Sequence, residues 1–333
     1  MPVPVELVTS QEIDDLLVEV QEGRRALRMA TEGILPNVFA GPETLIEEIR
    51  GSLRFASREA RLARQLVRPF DDPVWRAESS YPFHVAALAR RYRVSTHPAE
   101  RKDGLLKLGE GLARTLGILA LSELVAHHGS FTQSLRQQFR TGATFGTWLT
   151  LVKRFVTEVQ HPRLPEITVL DEGDTTQSLL KEIKDFRNSS HHAHGVRMSH
   201  ELHEDVEKLE PHVVSAISSA NWLSSTDWFW VERCEYLDES SFQAVGLRLR
   251  GSHPSWEPFE RSITRPLRPD RIYVDGTPPG EPIDLWPLAM VSFCPNCRTR
   301  ELFLLNQIRD GKAVLRSLEE HELEIPYPSS PGN

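Results

Sequence analysis

Residues 98–124 read PAERKDGLLKLGEGLARTLGILALSEL. Leu105, Leu108, Leu112, Leu116, Leu119 and Leu124 recur with a period near 3.6, and Pro98 suits a first helical turn, whose N–H groups have no internal partner. The spacing predicts a helix of about 25 residues or more. Beyond it, Gly129 and Ser130 restart the chain, Gly142 and Gly146 bracket a boundary, and Trp148, Leu149, Val152, Phe155 and Val156 form the next apolar face. A loop over 161–173 carries Pro162 and Pro165. Asp174 and Gln177 then cap a helix that presents Leu179, Leu180, Ile183 and Phe186. A last helix is predicted from about residue 199 to 220. Helices with short connections form an antiparallel bundle, here spanning residues 76–222.

The flanks differ from this middle. Upstream, Thr9-Ser10-Gln11-Glu12 is a capping-box pattern before Ile13, Leu16, Leu17 and Val20; after a break at 33–41, Leu45, Ile49, Leu53, Ala56, Ala60, Ala63 and Val67 form a second stripe. Residues 1–75 thus read as a helical hairpin whose narrow apolar stripes dock on a partner or pair as a coiled coil. Downstream of 222 the period changes to that of strands: Trp228 to Val231, alternation from Phe242 to Leu249, and short apolar runs at 272–274 and 302–305. Residues 223–333 are expected to form a β-rich module. The fold class is therefore mainly α with a C-terminal β-rich module (α+β), an antiparallel helical bundle preceded by a helical hairpin.

At 333 residues, 39% apolar and 26% charged, the chain is long enough for more than one core and has an ordinary globular composition. No apolar run reaches bilayer length, since even 116–126 contains Ser122 and Glu123; residues 1–15 lack the basic and apolar regions of a secretion signal. No membrane association and a cytoplasmic location are the expectation. The formal net charge of -8 argues against a nucleic-acid partner on average. The segments at 1–75, 76–222 and 223–333 carry -4, +1 and -5, so the deficit lies at the ends. The middle holds 11 of the 13 histidines, which sets it apart chemically.

Residues 184–195 read KDFRNSSHHAHG and gather a guanidinium, an amide and several imidazoles at one helix end. Imidazole exchanges protons near neutrality, and guanidinium keeps its charge and matches phosphate oxygens as a fork. Together they equip a site for RNA cleavage without metal, in which the ribose 2'-hydroxyl attacks the adjacent phosphorus. Spacing alone does not select Arg187, because Arg316 and His321 repeat it in the β-rich end. Asn188, the histidine cluster and the position late in a bundle select it. On an unbroken helix His191 stands about 40° from Arg187 and His192 about 140°, so unwinding there would bring His192 back. His191, His194, His200 and His203 also include i, i+3 pairs able to chelate a metal, although a solvated face suits His200 and His203 better.

At these residues the chain resembles the HEPN superfamily of helical-bundle ribonucleases, whose motif is Arg, often a polar residue, then His after four to six positions. Arg187, Asn188 and His192 fit the shorter spacing and Arg187 with His194 the longer. The helices over 81–124 and the turn Phe145–Trp148 are similar too, so the likeness covers about residues 80–220. The resemblance implies a homodimer with two Arg-His motifs facing each other and no metal in catalysis. It also implies a supporting role for Glu110 on the long early helix. Arg187 is then expected to stabilise the transition state, Asn188 to orient the phosphate or hold the helix end, and His192, or His194, to move the proton. The implied activity is a metal-independent endoribonuclease of bacterial toxin, antiphage defence or stress responses. A different class, a non-catalytic interaction or RNA-binding protein acting through residues 1–75 or 223–333, also fits.

Cys294-Pro-Asn-Cys297 looks like one knuckle of a zinc ribbon, in which a tight turn lets two thiolates meet one ion. A structural zinc, a metal-free knuckle and a redox pair all fit, and a full site needs two more ligands, with Cys234 and His321 as candidates. Trp222, Trp228, Phe229 and Trp230 could stack bases, but between a helix and a strand they read first as core. No phosphate-binding GxxxxGK[ST] loop, dinucleotide GxGxxG or nucleophile elbow is present, which disfavours nucleotide hydrolysis and dinucleotide redox chemistry.

Overall fold

A computed structural model describes residues 72–170, 175–192, 198–238, 241–253, 255–276 and 280–327. The chain divides into two compact units, Met1–Arg76 and Ala77–Asn333. The hairpin expected over 1–75 lies outside the described residues except for 72–75. Nearly all of the described residues belong to the second unit. They form a mixed α+β structure: helices α1 (Pro73–Ser80), α2 (Phe83–Val94), α3 (Pro98–His128), α4 (Gln133–Gln138), α5 (Phe145–Glu158), α6 (Thr175–His192) and α7 (Ser199–Ser219) precede nine strands.

Helix α3 runs 31 residues. Pro98 occupies its first turn, the His97 ring accepts the Ala99 N–H at 3.3 Å, and Gly129 ends it at φ 67, a left-handed conformation that glycine adopts without strain. From Leu108 to Leu124 nearly every side chain is buried, so α3 is the central helix, with α2, α5, α6 and α7 packed around it. Gly117 permits a close approach: a Cβ there would stand 2.6 Å from Cε3 of Trp148 on α5. The α5 face differs from its expected form, with Leu151 buried and Leu149 and Val156 only half-buried. Thr144 and Thr147 cap α5 reciprocally, each side chain accepting the other's backbone N–H.

The C-terminal part forms two antiparallel sheets. β1 (Asp227–Asp238), β2 (Ser241–Arg248), β3 (Glu257–Ile263), β4 (Arg271–Asp275) and β5 (Ile283–Asp284) make one, in the order β3-β2-β1-β4-β5. β6 (Ala289–Phe293), β7 (Arg300–Arg309), β8 (Lys312–Arg316) and β9 (Glu322–Pro326) make the other, in sequence order. Trp228, Phe229 and Trp230 are buried in β1, as a core role requires. The second sheet sits directly on the helices: Ala143 N–H donates to the Asn306 carbonyl at 2.6 Å and Ile308 N–H to the Phe139 carbonyl at 3.1 Å. Arg114 of α3 donates to the carbonyls of Leu304 and Leu305 at 2.7 and 3.0 Å. Among the described residues no helix is long and apolar enough to cross a membrane.

Candidate active-site cleft and a metal-ligating group

One face of helix α3 carries a charged stripe. Asp103, Lys107, Glu110 and Arg114 follow one another at steps of four, three and four, which places them on one face. That face lines a cleft of about 380 Å³ together with Arg91 of α2, Arg187 of α6, and Arg316 and Glu320 at the end of β8. Five cations and three carboxylates line it, and Glu319 and Glu322, just outside the lining, pair with Arg91 and Arg316. The charges are thus largely matched, and Arg114 is the lining cation without a carboxylate in ion-pair contact among the described residues. Arg187 Nη1 and Glu110 Oε2 stand 2.9 Å apart, both side chains about one-third exposed.

The floor of the cleft holds polar atoms without partners. Arg114 Nε, Arg316 Nε and His84 Nδ1 are buried and make no hydrogen bond among the described residues. Burial, and next the charge of Arg316, lowers Arg114 to about 10 against the pull of Glu110, so its guanidinium stays charged at neutral pH. Hydrogen bonding to Glu322 raises Arg316 further, and Glu320 lies 3.1 Å from its Nη1. The unmatched Nε–H groups of Arg114 and Arg316, with their fixed positive charge, suit an anion with several oxygens, such as a phosphate.

His84 is 1% exposed, hydrogen-bonds Thr115 through Nε2 and lies edge-on to Trp228. Burial, then Arg114, lowers its pKa from 6.5 to about 3, so it is neutral at physiological pH. The unfolded chain takes up this proton first as the pH falls, so native stability declines from about pH 6.5 down to about pH 3. Urea unfolding should show this acid limb flattened in His84→Gln, which cannot gain a proton. An NMR titration placing the His84 ring near 6.5 would contradict its buried position.

Of the residues named by the sequence, Arg187 and Glu110 meet in the cleft, and Asn188 is exposed beside them. His192 is the last residue of α6; its side chain, and the whole of His194, lie outside the described residues. The helix remains intact through position 192, without the unwinding that would turn that position toward 187. His200 and His203 are exposed on α7. Sequence reasoning passed over Arg91, Lys107, Arg114 and His84. The charged stripe at 103, 107, 110 and 114 was the available signal for part of this set. Arg316, whose spacing to His321 carries no meaning in the sequence, lines the same cleft as Arg187.

Among the described residues, Cys294, Cys297, Glu301 and His321 bring their ligand atoms within 4.8 Å of one another and could hold a metal ion. Cys294 is buried and Cys297 exposed. His321 Nδ1 lies 3.2 Å from Cys294 Sγ and 3.0 Å from Glu301 Oε1, and Cys297 Sγ lies 2.8 Å from the same oxygen. His321 was one of the two expected partners of the knuckle. The other, Cys234 on β1, is outside the group, and Glu301 is present in its stead.

In comparisons with known proteins, no family model, no curated protein and no solved structure matches the chain, so both sites stand on their own geometry.

Proposed function

We propose that this protein is a metal-independent endoribonuclease of the HEPN type, its helices over 76–222 being the family's antiparallel bundle. The observation that carries this reading is the Arg187–Glu110 ion pair in a cleft lined by four further cations, Arg114 among them without a carboxylate partner in ion-pair contact among the described residues. A carboxylate from the long early helix fixes the guanidinium in place, and the remaining cations attract the RNA backbone.

In the proposed step the 2'-hydroxyl oxygen bonds to the neighbouring phosphorus and the bond from phosphorus to the 5'-oxygen breaks. The 2' proton passes to a histidine, and the leaving 5'-oxygen receives a proton, giving a 2',3'-cyclic phosphate and a 5'-hydroxyl. Arg187 bears on the negative charge that builds on the phosphoryl oxygens. His192, or His194, carries the proton. A homodimer would bring two such clefts together, and bacterial defence, toxin action or stress response would be the setting. The Cys294–His321 group has a structural part in this reading and none in the chemistry.

A binding module without cleavage is favoured by one observation, the continuity of α6 through position 192, which leaves that position about 140° round the axis from 187. The two readings separate in one experiment. Full-length protein is incubated with single-stranded RNA and no added divalent cation, beside His192→Ala and His194→Ala. Cleavage by the parent that one histidine variant loses supports the nuclease. Binding without cleavage, or cleavage undiminished in both variants, sinks it.

A further inference from the structure

We infer that Cys294, Cys297, Glu301 and His321 bind one zinc ion, and that this ion clasps the turn at 317–321 that forms one wall of the cleft. The inference is independent of the ribonuclease reading. It starts from the loop after β6. Cys294 N–H donates to the Thr299 carbonyl at 2.8 Å and Arg298 N–H to the Cys294 carbonyl at 2.9 Å, while Arg298 adopts φ 58. This closed turn directs both thiols to one side. The Asn296 N–H donates to Cys294 Sγ at 3.4 Å, which holds the sulfur inside the turn.

The third and fourth ligands come from other parts of the sheet. Glu301 lies at the start of β7, and His321 precedes β9. Four electron-pair donors converge: two sulfurs, a carboxylate and an imidazole nitrogen. Such a set is held together by a cation more effectively than by the few protons it can share. Two thiolates select a borderline-soft ion over magnesium or calcium, and four protein ligands complete a tetrahedron with no open position, as in structural zinc sites. Tetrahedral ligation at about 2.0–2.3 Å sets donor atoms roughly 3.3–3.8 Å apart, which small rotations from the present spacing would achieve.

The clasp reaches the cleft through four residues of chain. Ser317 N–H donates to the His321 carbonyl at 2.9 Å, and His321 N–H to Ser317 Oγ at 3.3 Å, so the turn is closed on the ligand. Arg316, Ser317, Leu318 and Glu320 of this turn line the cleft, and Glu319 pairs with Arg91 of α2. Fixing His321 therefore fixes the wall that carries Arg316.

Elemental analysis of the full-length protein should find about one zinc per chain, and cobalt exchanged for it should show thiolate-to-metal charge-transfer absorption. Cys297→Ser, which alters an exposed thiol, and His321→Ala should lose the zinc, with circular dichroism reporting that the fold remains. Glu301→Gln should weaken cobalt binding by at least the 10–100-fold typical of changes around a metal site. Zinc removal should speed amide exchange at 317–321 more than in α3. No zinc in the parent together with no cobalt absorption, zinc retained in both variants, or Cys294 and Cys297 recovered as a disulfide would each overturn the inference. RNA cleavage is not read in any arm, so its failure would leave this result intact.

Discussion

Arg187→Ala is expected to lower RNA cleavage by about 10²–10³-fold, the usual cost of removing one preorganised donor from developing negative charge. The effect should fall on kcat, because Arg91, Lys107, Arg114 and Arg316 remain to bind the backbone. Arg187→Lys should recover little: it restores the charge but not the fork that reaches two phosphoryl oxygens while held by Glu110 at 2.9 Å. Glu110→Gln should produce a smaller loss, since it loosens the guanidinium without removing it. Single-turnover cleavage at saturating protein measures all three. Equal rates for parent and Arg187→Ala would remove Arg187 from the mechanism.

Trp148→Ala should destabilise the helical part by about 3–5 kcal/mol. The ring is 2% exposed and fills the space left by Gly117; it meets Phe139 edge-on at 5.5 Å and lies under the Arg114 guanidinium at 5.8 Å. Truncation opens a cavity at the centre of α3 and removes the surface that supports Arg114, whose Nη2 holds the backbone of β7. Urea unfolding followed by circular dichroism would record the loss. A decrease below about 1 kcal/mol would mean that the α3–α5 contact is less closely packed than described.

Much of the helical framework was legible because α3 declares itself by period and by Pro98 and Gly129. It runs on to His128, past the leucine stripe, because Glu123 does not interrupt it: the carboxylate is 3% exposed and accepts the Arg163 N–H at 3.0 Å. That partner, 40 positions away, is what a reading of the stripe alone does not supply. Of the nine described strands, β1, β2, β4 and β7 were visible as apolar runs or alternation, whereas β3, β5, β6, β8 and β9 were not, and the division into two sheets depends on backbone pairing that side-chain pattern does not specify.

The candidate site was legible where its residues are local. Arg187 and Asn188 stand in one short motif, and Cys294 and Cys297 in another. Glu110 came from resemblance alone, and its meeting with Arg187 is a tertiary fact. Arg114 was passed over and Arg316 was set aside because only the tertiary fold brings the end of β8 into one cleft with α3. The whole-chain charge was similarly uninformative: the -8 describes the average surface, whereas the cleft collects five cations from four elements.

The most direct test of the central claim is chemical. A single-stranded RNA is mapped for its cleavage site, then remade with one 2'-deoxy sugar on the 5' side of the cut bond. Attack by the 2'-hydroxyl requires that this linkage survive intact while the unmodified RNA yields a 2',3'-cyclic phosphate and a 5'-hydroxyl. Cutting of the deoxy linkage at an equal rate, or products ending in a 5'-phosphate, would contradict the proposed mechanism.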